Sequence, residues 1–176
     1  MVFMLSGRNK SLKPQDILIL IKIVCFGETP FRIIDLSFEL NISPGEITMA
    51  LERLRLSGLL GHDKRRPNRS AILEFLVHGL KYVFPAELGP VQPGVETCYS
   101  AANLSQKIVS DTLFVWPSIE GKSIGTSVSP LYESVAFAAL RDPKLHRLMA
   151  LIDTIRIGRV REHVMAIEEL KKEFTS

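Results

Sequence analysis

The densest group of chemically active side chains is a short basic cluster, Lys64-Arg65-Arg66-Pro67-Asn68-Arg69, with four positive charges in six residues. Ammonium and guanidinium groups at this density can bind phosphate or carboxylate groups. A helix that begins near residue 69 would add free backbone amides and a dipole that also favour an anion. The cluster therefore predicts an anion-binding loop, with DNA phosphate as the first candidate. The alternative is a solvated loop that pairs with Asp63 and neighbouring acids.

The net charge of the chain is small but unevenly distributed. Its 176 residues include 22 basic and 19 acidic residues, a net charge of +3. Twelve basic and eight acidic residues precede position 84, giving +4, and the remainder carries −1. The whole-chain charge does not by itself indicate a polyanionic partner, but the basic excess lies in the same half as the basic cluster.

Residue patterns typical of an enzyme are missing from the sequence. Metal sites often place histidines or cysteines three to five residues apart. None of the four histidines has another histidine or a cysteine at that distance; they are His62, His78, His146 and His163. There is no glycine-rich phosphate loop, no dinucleotide fingerprint and no nucleophile elbow. We therefore expect no catalytic residue, no metal and no cofactor.

The sequence also favours a reducing, non-membrane location. Cys25 and Cys98 are too few and too far apart for a disulfide framework. The longest apolar stretch, 17–26, is interrupted by Lys22, and no signal-peptide pattern follows the short apolar start. The expected location is the cytoplasm, with no membrane contact.

Three helices are predicted in the basic half. Pro14 and Gly27 bracket the first, over 14–26, and its apolar residues extend beyond one stripe, which predicts a second packing surface such as a subunit partner. Thr29-Pro30 is predicted to begin a second helix of about ten residues. Its predicted core face is Phe31, Ile34, Leu36 and Leu40.

The third helix has the strongest local signals. After the turn Asn41-Ile42-Ser43, the Ser43 hydroxyl and the Glu46 carboxylate can form a reciprocal capping box. Apolar residues then repeat with helical spacing as far as Leu54, and Gly58 predicts the end of the helix. A helix over 44–57 with one narrow apolar stripe, joined to its predecessor by a three-residue turn, is typical of a helix-turn-helix unit.

The string ELNISPGEITMALERLRLSGLL resembles the second and third helices of winged helix-turn-helix bacterial regulators of the MarR-like kind, over roughly residues 14–62. The string RRPNRSAILEFLVHGLKYVFPAE resembles a segment of bacterial predicted regulators that carry this unit at their N-terminus. The resemblance implies a transcriptional regulator that binds double-stranded DNA, as a homodimer on a palindromic site. It also implies two short strands around a basic tip after the third helix.

In that arrangement the exposed face of the third helix reads bases. The residues predicted to contact DNA are Ser43, Gly45, Thr48, Met49, Glu52, Arg53 and Arg55 on this helix, and Lys64, Arg65, Arg66 and Arg69 in the basic cluster. The alternative is that the helix presents an ordinary solvated face, with Glu46 explained by capping.

The segment after the basic cluster departs from the winged pattern. Glu74, His78 and Lys81 are spaced by four and three residues, which predicts a fourth helix over about 69–83 in place of clear strands. Residues 84–133 are rich in proline and glycine, and strands over 112–116 and 123–128 are predicted to form a hairpin. Trp116 is either a core residue or an aromatic residue of a ligand pocket.

The last part of the chain is predicted to be helical. Ser134 begins a short helix, Asp142-Pro143 begins a longer one, and a terminal helix covers about 159–173. These helices either form the dimer interface or cover the monomer core. Arg156, Arg159 and Arg161 could form a second basic surface.

Together, these patterns predict a mainly α protein with a small β hairpin. The predicted regions are a helix-turn-helix or winged-helix domain at 12–83, a loop-rich segment at 84–133 and a helical region at 134–174. The leading functional hypothesis is a DNA-binding regulator. The alternative is a protein-interaction module, such as an antitoxin that binds a partner protein through 85–130 and autoregulates.

Overall fold

A computed structural model describes residues 10–101 and 112–175. The elements in chain order are α1 (Pro14–Phe26), α2 (Ile33–Leu40), α3 (Pro44–Leu56), α4 (Arg69–His78), α5 (Leu80–Val83), β1 (Leu88–Glu96), α6 (Cys98–Ala101), β2 (Phe114–Pro117), β3 (Ser123–Val128), α7 (Val135–Arg141), α8 (Pro143–Ile157) and α9 (Val160–Thr175). The predicted class, mainly α with a small β part, is confirmed.

Helix α1 is buried on two sides, as its composition predicts. Every residue from Asp16 to Val24 is buried. The helix packs against α2 and α3 on one side and against α8 on the other. A subunit partner is therefore not needed to explain its second apolar surface, because α8 of the same chain covers it.

Helix α2 begins later than predicted. Its N-cap residue is Arg32, whose backbone amide donates to the Asp35 carboxylate at 2.9 Å. The prediction that Thr29-Pro30 begins this helix is wrong, because Asp35 supplies the acceptor one turn into the helix and sets its start. Leu36 and Leu40 are buried, whereas Ile34, predicted to lie on the core face, is 54% exposed.

The predicted fourth helix is broken. It forms as α4 and the short α5, with Gly79 between them. A Cβ at Gly79 would lie 2.9 Å from the Phe75 ring, so the close packing at this break depends on glycine.

The two predicted strands exist, but they do not form a hairpin. Strands β2 and β3 pair in parallel, and each pairs antiparallel with β1, so the three strands close on themselves. The sequence predicts a loop where β1 forms, because Pro90, Pro93 and two glycines interrupt the segment. Gly94 is required in β1, because a Cβ there would overlap the Trp116 carbonyl oxygen.

Helix α8 is the interior helix of the C-terminal half. Asp142 caps it by accepting the backbone amides of Lys144 and Leu145, both at 3.0 Å, as the sequence predicts. Residues 148–155 are all buried, and α8 packs against α1, α7 and α9. The residues of all three predicted regions contribute to one hydrophobic core. Within the described ranges, no helix combines the length and the apolar composition needed to cross a membrane.

Candidate nucleic-acid interface

Helix α3 presents one face to the core and the other to solvent. Its apolar stripe, Ile47, Ala50, Leu51 and Leu54, is buried where α3 packs against α1 and α2. The turn before it is anchored by Ile42, which is buried, and by Asn41 in the left-handed region at φ 52°. Helices α2 and α3 and the three-residue turn between them are therefore present, and α3 has a solvent-facing side, which we call the free face.

Only one half of the predicted capping box forms at the start of α3. The Ser43 hydroxyl accepts the Glu46 backbone amide at 3.3 Å, as predicted. The Glu46 carboxylate does not complete the capping box; it accepts a hydrogen bond from the Gln15 side chain at 2.7 Å and links α3 to α1. Ser43 thus has a structural role in capping, and its exposed position also places it at the edge of the free face.

Four further predicted residues lie on the free face. Gly45, Thr48 and Met49 are exposed, and Glu52 is partly exposed. The Thr48 hydroxyl donates to the Pro44 carbonyl at 2.9 Å, so its oxygen lone pairs remain available as acceptors. Met49 is 41% exposed and provides an apolar contact surface. This face can therefore offer hydrogen-bond acceptors and a flexible apolar side chain.

Arg53 does not belong to this face. Its side chain is 3% exposed and forms two hydrogen bonds to the Asp16 carboxylate, at 2.8 and 2.7 Å. Asp16 also accepts the Lys13 backbone amide at 2.9 Å, so one carboxylate caps α1 and holds α3 against it. The expectation that Arg53 is exposed is wrong, because the tertiary structure supplies a buried partner that charge periodicity along α3 does not reveal.

Glu52 lies between two cations at the edge of the free face. Its carboxylate accepts from Arg55 at 2.6 and 3.2 Å and pairs with Lys64 at 2.7 Å. The hydrogen bonds from Arg55 and Lys64 lower the pKa of Glu52 to about 2. Lys64 belongs to the loop after α3, so this ion pair holds that loop beside the free face.

The loop after α3 is a small hairpin spanning residues 59–68, which we call the basic hairpin. Leu60 and Pro67 form an antiparallel β-bridge, and the Gly61 amide donates to the Arg66 carbonyl at 2.9 Å. At the tip, the Asp63 carboxylate accepts the backbone amides of Arg65 and Arg66 at 2.9 and 3.1 Å. The sequence pattern does not reveal strands here, because the pairing is limited to one bridge.

The three arginines of the basic cluster differ in how accessible their side chains are to an anion. Arg66 has a side chain that is 90% exposed, with its Nε 3.5 Å from Asp63. Arg65 is exposed and lies over the Phe31 ring, 4.8 Å from its centroid. Arg69 is partly buried and donates to the Glu173 carbonyl at 3.0 Å, which ties α4 to α9. Two of the three therefore remain on the surface for an anion.

Arg65, Arg66 and Arg69 line an open groove together with Phe31 and the loop that follows α1. The sequence pattern does not assign Phe31 to this site, since it predicts Phe31 as a core residue of the second helix. The sequence signal that could have placed Phe31 at this site is Gly27, which ends α1. Phe31 lies in the loop that follows, outside a helix. The structure thus adds an aromatic wall to the predicted anion-binding loop.

The remaining sequence candidates lie in the interior. Trp116 is fully buried, and its indole N–H donates to the Asp153 carboxylate at 2.5 Å, which makes it a core residue. Asp153 also accepts from Thr97 at 3.1 Å and Arg156 at 2.7 Å. Burial raises the pKa of Asp153, although these three partners favour its charged form.

Arg156 is also buried, with 3% of its side chain exposed, so the second basic surface cannot include it. Its guanidinium donates to the backbone carbonyls of Phe84, Pro85 and Ser129. Arg159 and Arg161 are exposed. Among the residues that the structure describes, no group of three or more metal-ligating side chains is present.

Comparison with known proteins gives no matching family model, no matching curated protein and no matching solved structure.

Proposed function

We propose that this protein is a sequence-specific DNA-binding regulator of the cytoplasm. The observation that carries the proposal is the position of the basic hairpin beside the free face of α3, where Lys64 and Glu52 lie 2.7 Å apart. A capped helix with a solvent-facing side and an adjacent basic hairpin can contact base edges and phosphates together. Arg65 and Arg66 are the phosphate-binding candidates.

Base reading is assigned to the free face. Thr48 and Glu52 provide acceptors, Arg55 provides donors and Met49 provides an apolar contact. In the major groove, carboxylates accept from cytosine amino groups, and apolar side chains contact thymine methyl groups. Arg53 is excluded from this role by its buried pair with Asp16.

The proposed assembly is a homodimer on a palindromic site, since a two-fold protein presents two α3 helices to two half-sites. Helix α9 supports this assembly. It covers the core with Ala166, Leu170 and Phe174 while leaving Val160 82% and Val164 50% exposed. The alternative in which the terminal helices only cover the core accounts for α8 but not for these valines.

The test replaces both surface arginines of the hairpin. We expect Arg65→Gln/Arg66→Gln to lower the affinity for duplex DNA of any sequence by about tenfold, because phosphate contacts do not depend on sequence. The plot of log affinity against log salt concentration should become flatter by about 0.9 for each phosphate that the variant no longer neutralises. Fluorescence anisotropy over a KCl series measures both quantities.

The matched control is Lys122→Gln/Arg141→Gln, which removes the same charge from exposed residues just before β3 and at the end of α7. We expect this control to keep the salt slope of the wild type. Equal effects of the two double variants would show that only overall charge matters, and no DNA binding by the wild type at low salt would contradict the proposal.

A protein-interaction module is the second candidate, favoured by apolar residues on the outside of the sheet. Val91 is 68% exposed and Ile124 is 67% exposed. They lie on adjacent strands, because Pro93 pairs with Ile124 and Val91 with Thr126. A partner protein bound by this face, as in an antitoxin, would bury these side chains. Lack of retention on heparin or on random duplex at low salt would favour this candidate over DNA binding.

A further inference from the structure

Glu52 lies at the centre of the free face of α3. Successive residues of an α-helix are separated by about 100°, so Gly45, Thr48, Met49, Glu52 and Leu56 project to one side. Of these residues, Gly45, Thr48, Met49 and Leu56 are exposed, Met49 to 41% and Leu56 to 46%, and Glu52 is partly exposed. Any duplex that lies along this face must approach the Glu52 carboxylate.

This carboxylate occupies two cations that border the free face. It holds Arg55 through two hydrogen bonds and Lys64 through an ion pair of 2.7 Å. The side chains of Glu52 and Lys64 are each 41% exposed, so these contacts lie where a phosphate would arrive. Arg66, by contrast, is 90% exposed, and its pairing with Asp63 is looser, at 3.5 Å.

We propose that Glu52 limits the affinity of this surface for non-specific DNA by occupying Arg55 and Lys64, and so determines specificity; this inference rests on the proposed function. A phosphate that binds either cation must displace the carboxylate or accept its repulsion. Non-specific binding depends almost wholly on phosphate contacts, so it is weakened most when two cations are already neutralised. Binding to a preferred sequence also uses base contacts and is weakened proportionately less.

The Glu52 carboxylate still neutralises Arg55 and Lys64 at neutral pH. The pKa of Glu52 is lowered to about 2 by Arg55 and Lys64, so its carboxylate remains ionised under all ordinary conditions. The limit on affinity is therefore a fixed property of the surface.

The experiment compares Glu52→Gln with Glu46→Gln in the full chain. Glutamine keeps the shape of the side chain and removes its charge. Glu46 is the matched control, because it lies on the same helix but contacts Gln15 at 2.7 Å and only distantly Lys13, at 4.0 Å. Binding to a fluorescent random-sequence duplex is measured by anisotropy from about 50 to 200 mM KCl.

We expect Glu52→Gln to raise the affinity for the random duplex by about tenfold and to steepen the salt slope by up to about 1.8, corresponding to two further neutralised phosphates. Glu46→Gln should give a smaller rise and no change in slope. In an Arg55→Gln/Lys64→Gln background, Glu52→Gln should produce no more than the Glu46→Gln effect, because the released cations are missing.

Equal slopes for Glu52→Gln and Glu46→Gln would overturn this inference alone, provided that the wild type binds DNA. A full Glu52→Gln effect in the Arg55→Gln/Lys64→Gln background would also overturn it. Absence of binding by the wild type and by Glu52→Gln at the lowest salt would overturn both this inference and the proposed function.

Discussion

Arginine side chains make opposite kinds of contact in the basic hairpin and at the interface between α8 and the small sheet. In the hairpin, the Arg66 side chain is 90% exposed and pairs with Asp63 at 3.5 Å. At the α8 interface, the Arg156 side chain is 3% exposed and donates to Asp153 and to three backbone carbonyls. An arginine can therefore act on an external anion only when the fold leaves its donors accessible.

Arg53 shows that this difference is not one between the two halves of the chain. It lies on α3, two residues from Arg55, yet its guanidinium binds Asp16 inside the core. The N-terminal half therefore contains both kinds of arginine. We therefore expect the exposure of the side chain, rather than its position in the chain, to determine how much stability is lost when each ion pair is removed.

The largest effect is expected at Asp153, whose carboxylate is buried and accepts hydrogen bonds from three side chains. Asp153→Ala removes the acceptor of Trp116, Thr97 and Arg156, and leaves three donors in the interior with fewer partners. We expect the free energy of unfolding to fall by about 3–5 kcal/mol, measured by urea denaturation followed by circular dichroism. The control Glu168→Ala, at an exposed position on α9, should cost less than about 0.5 kcal/mol. A cost below about 1 kcal/mol for Asp153→Ala would show that burial does not make this carboxylate important for stability.

A slightly smaller effect is expected at Arg53. Arg53→Met keeps much of the side-chain volume but takes the guanidinium away from the buried Asp16 carboxylate, which still accepts the Lys13 backbone amide. We expect a loss of about 3 kcal/mol in the free energy of unfolding by the same denaturation measurement. The control Arg55→Met, two residues along α3, removes a solvent-screened pair and should cost much less. Similar costs for the two variants would show that burial does not separate these arginines.

The smallest of the three effects is expected at Asp142, whose side chain is 20% exposed and pairs with Lys22 at 2.7 Å. Burial alone would raise the pKa of Asp142, but the hydrogen bonds from Lys22 and from the backbone amides of Leu145 and Lys144 lower it below the ordinary value of 3.8. The charged form therefore adds stability above about pH 3.8, and this contribution disappears as the pH falls further.

Asp142→Asn retains a capping side chain for α8 and removes the charge. We expect it to lower the free energy of unfolding by about 1 kcal/mol at pH 7 and by progressively less below about pH 3.8. Urea denaturation at a series of pH values measures the difference between variant and wild type. A difference that is the same at about pH 7 and about pH 3 would assign the effect to capping geometry instead of charge.

Local signals are sufficient for much of the segment that contains α1, α2 and α3. The bounds of α1 and α3, the three-residue turn and the Ser43 cap follow from proline, glycine and capping residues, which act within a few positions. The basic cluster is also predictable, because charge density is a property of composition. Contacts that join distant segments are not predictable in the same way: the Phe31 wall beside Arg65 and the Glu173 partner of Arg69 depend on how helices and loops are packed.

The small sheet shows a second limit of local reasoning. Proline and glycine are most common in turns, yet those of β1 lie in a strand of the closed sheet. There Gly94 permits the close approach of β2. Strand pairing depends on contacts between distant segments, which local sequence patterns do not show. The short spacing between 112–116 and 123–128 therefore predicts a hairpin, whereas these strands form a parallel pair.

Periodicity, capping and charge depend on neighbouring residues, so the amino-acid sequence is enough to predict the mainly helical class, the paired helices α2 and α3 and the location of the basic cluster. Which charged side chains remain accessible to an external anion depends on the fold. Burial against α1 removed Arg53 from the surface, contact with α9 occupied Arg69, and the hairpin brought Lys64 to Glu52. The physical reason is that the availability of a charged side chain depends on desolvation and on partners from distant segments, which only the folded chain brings together.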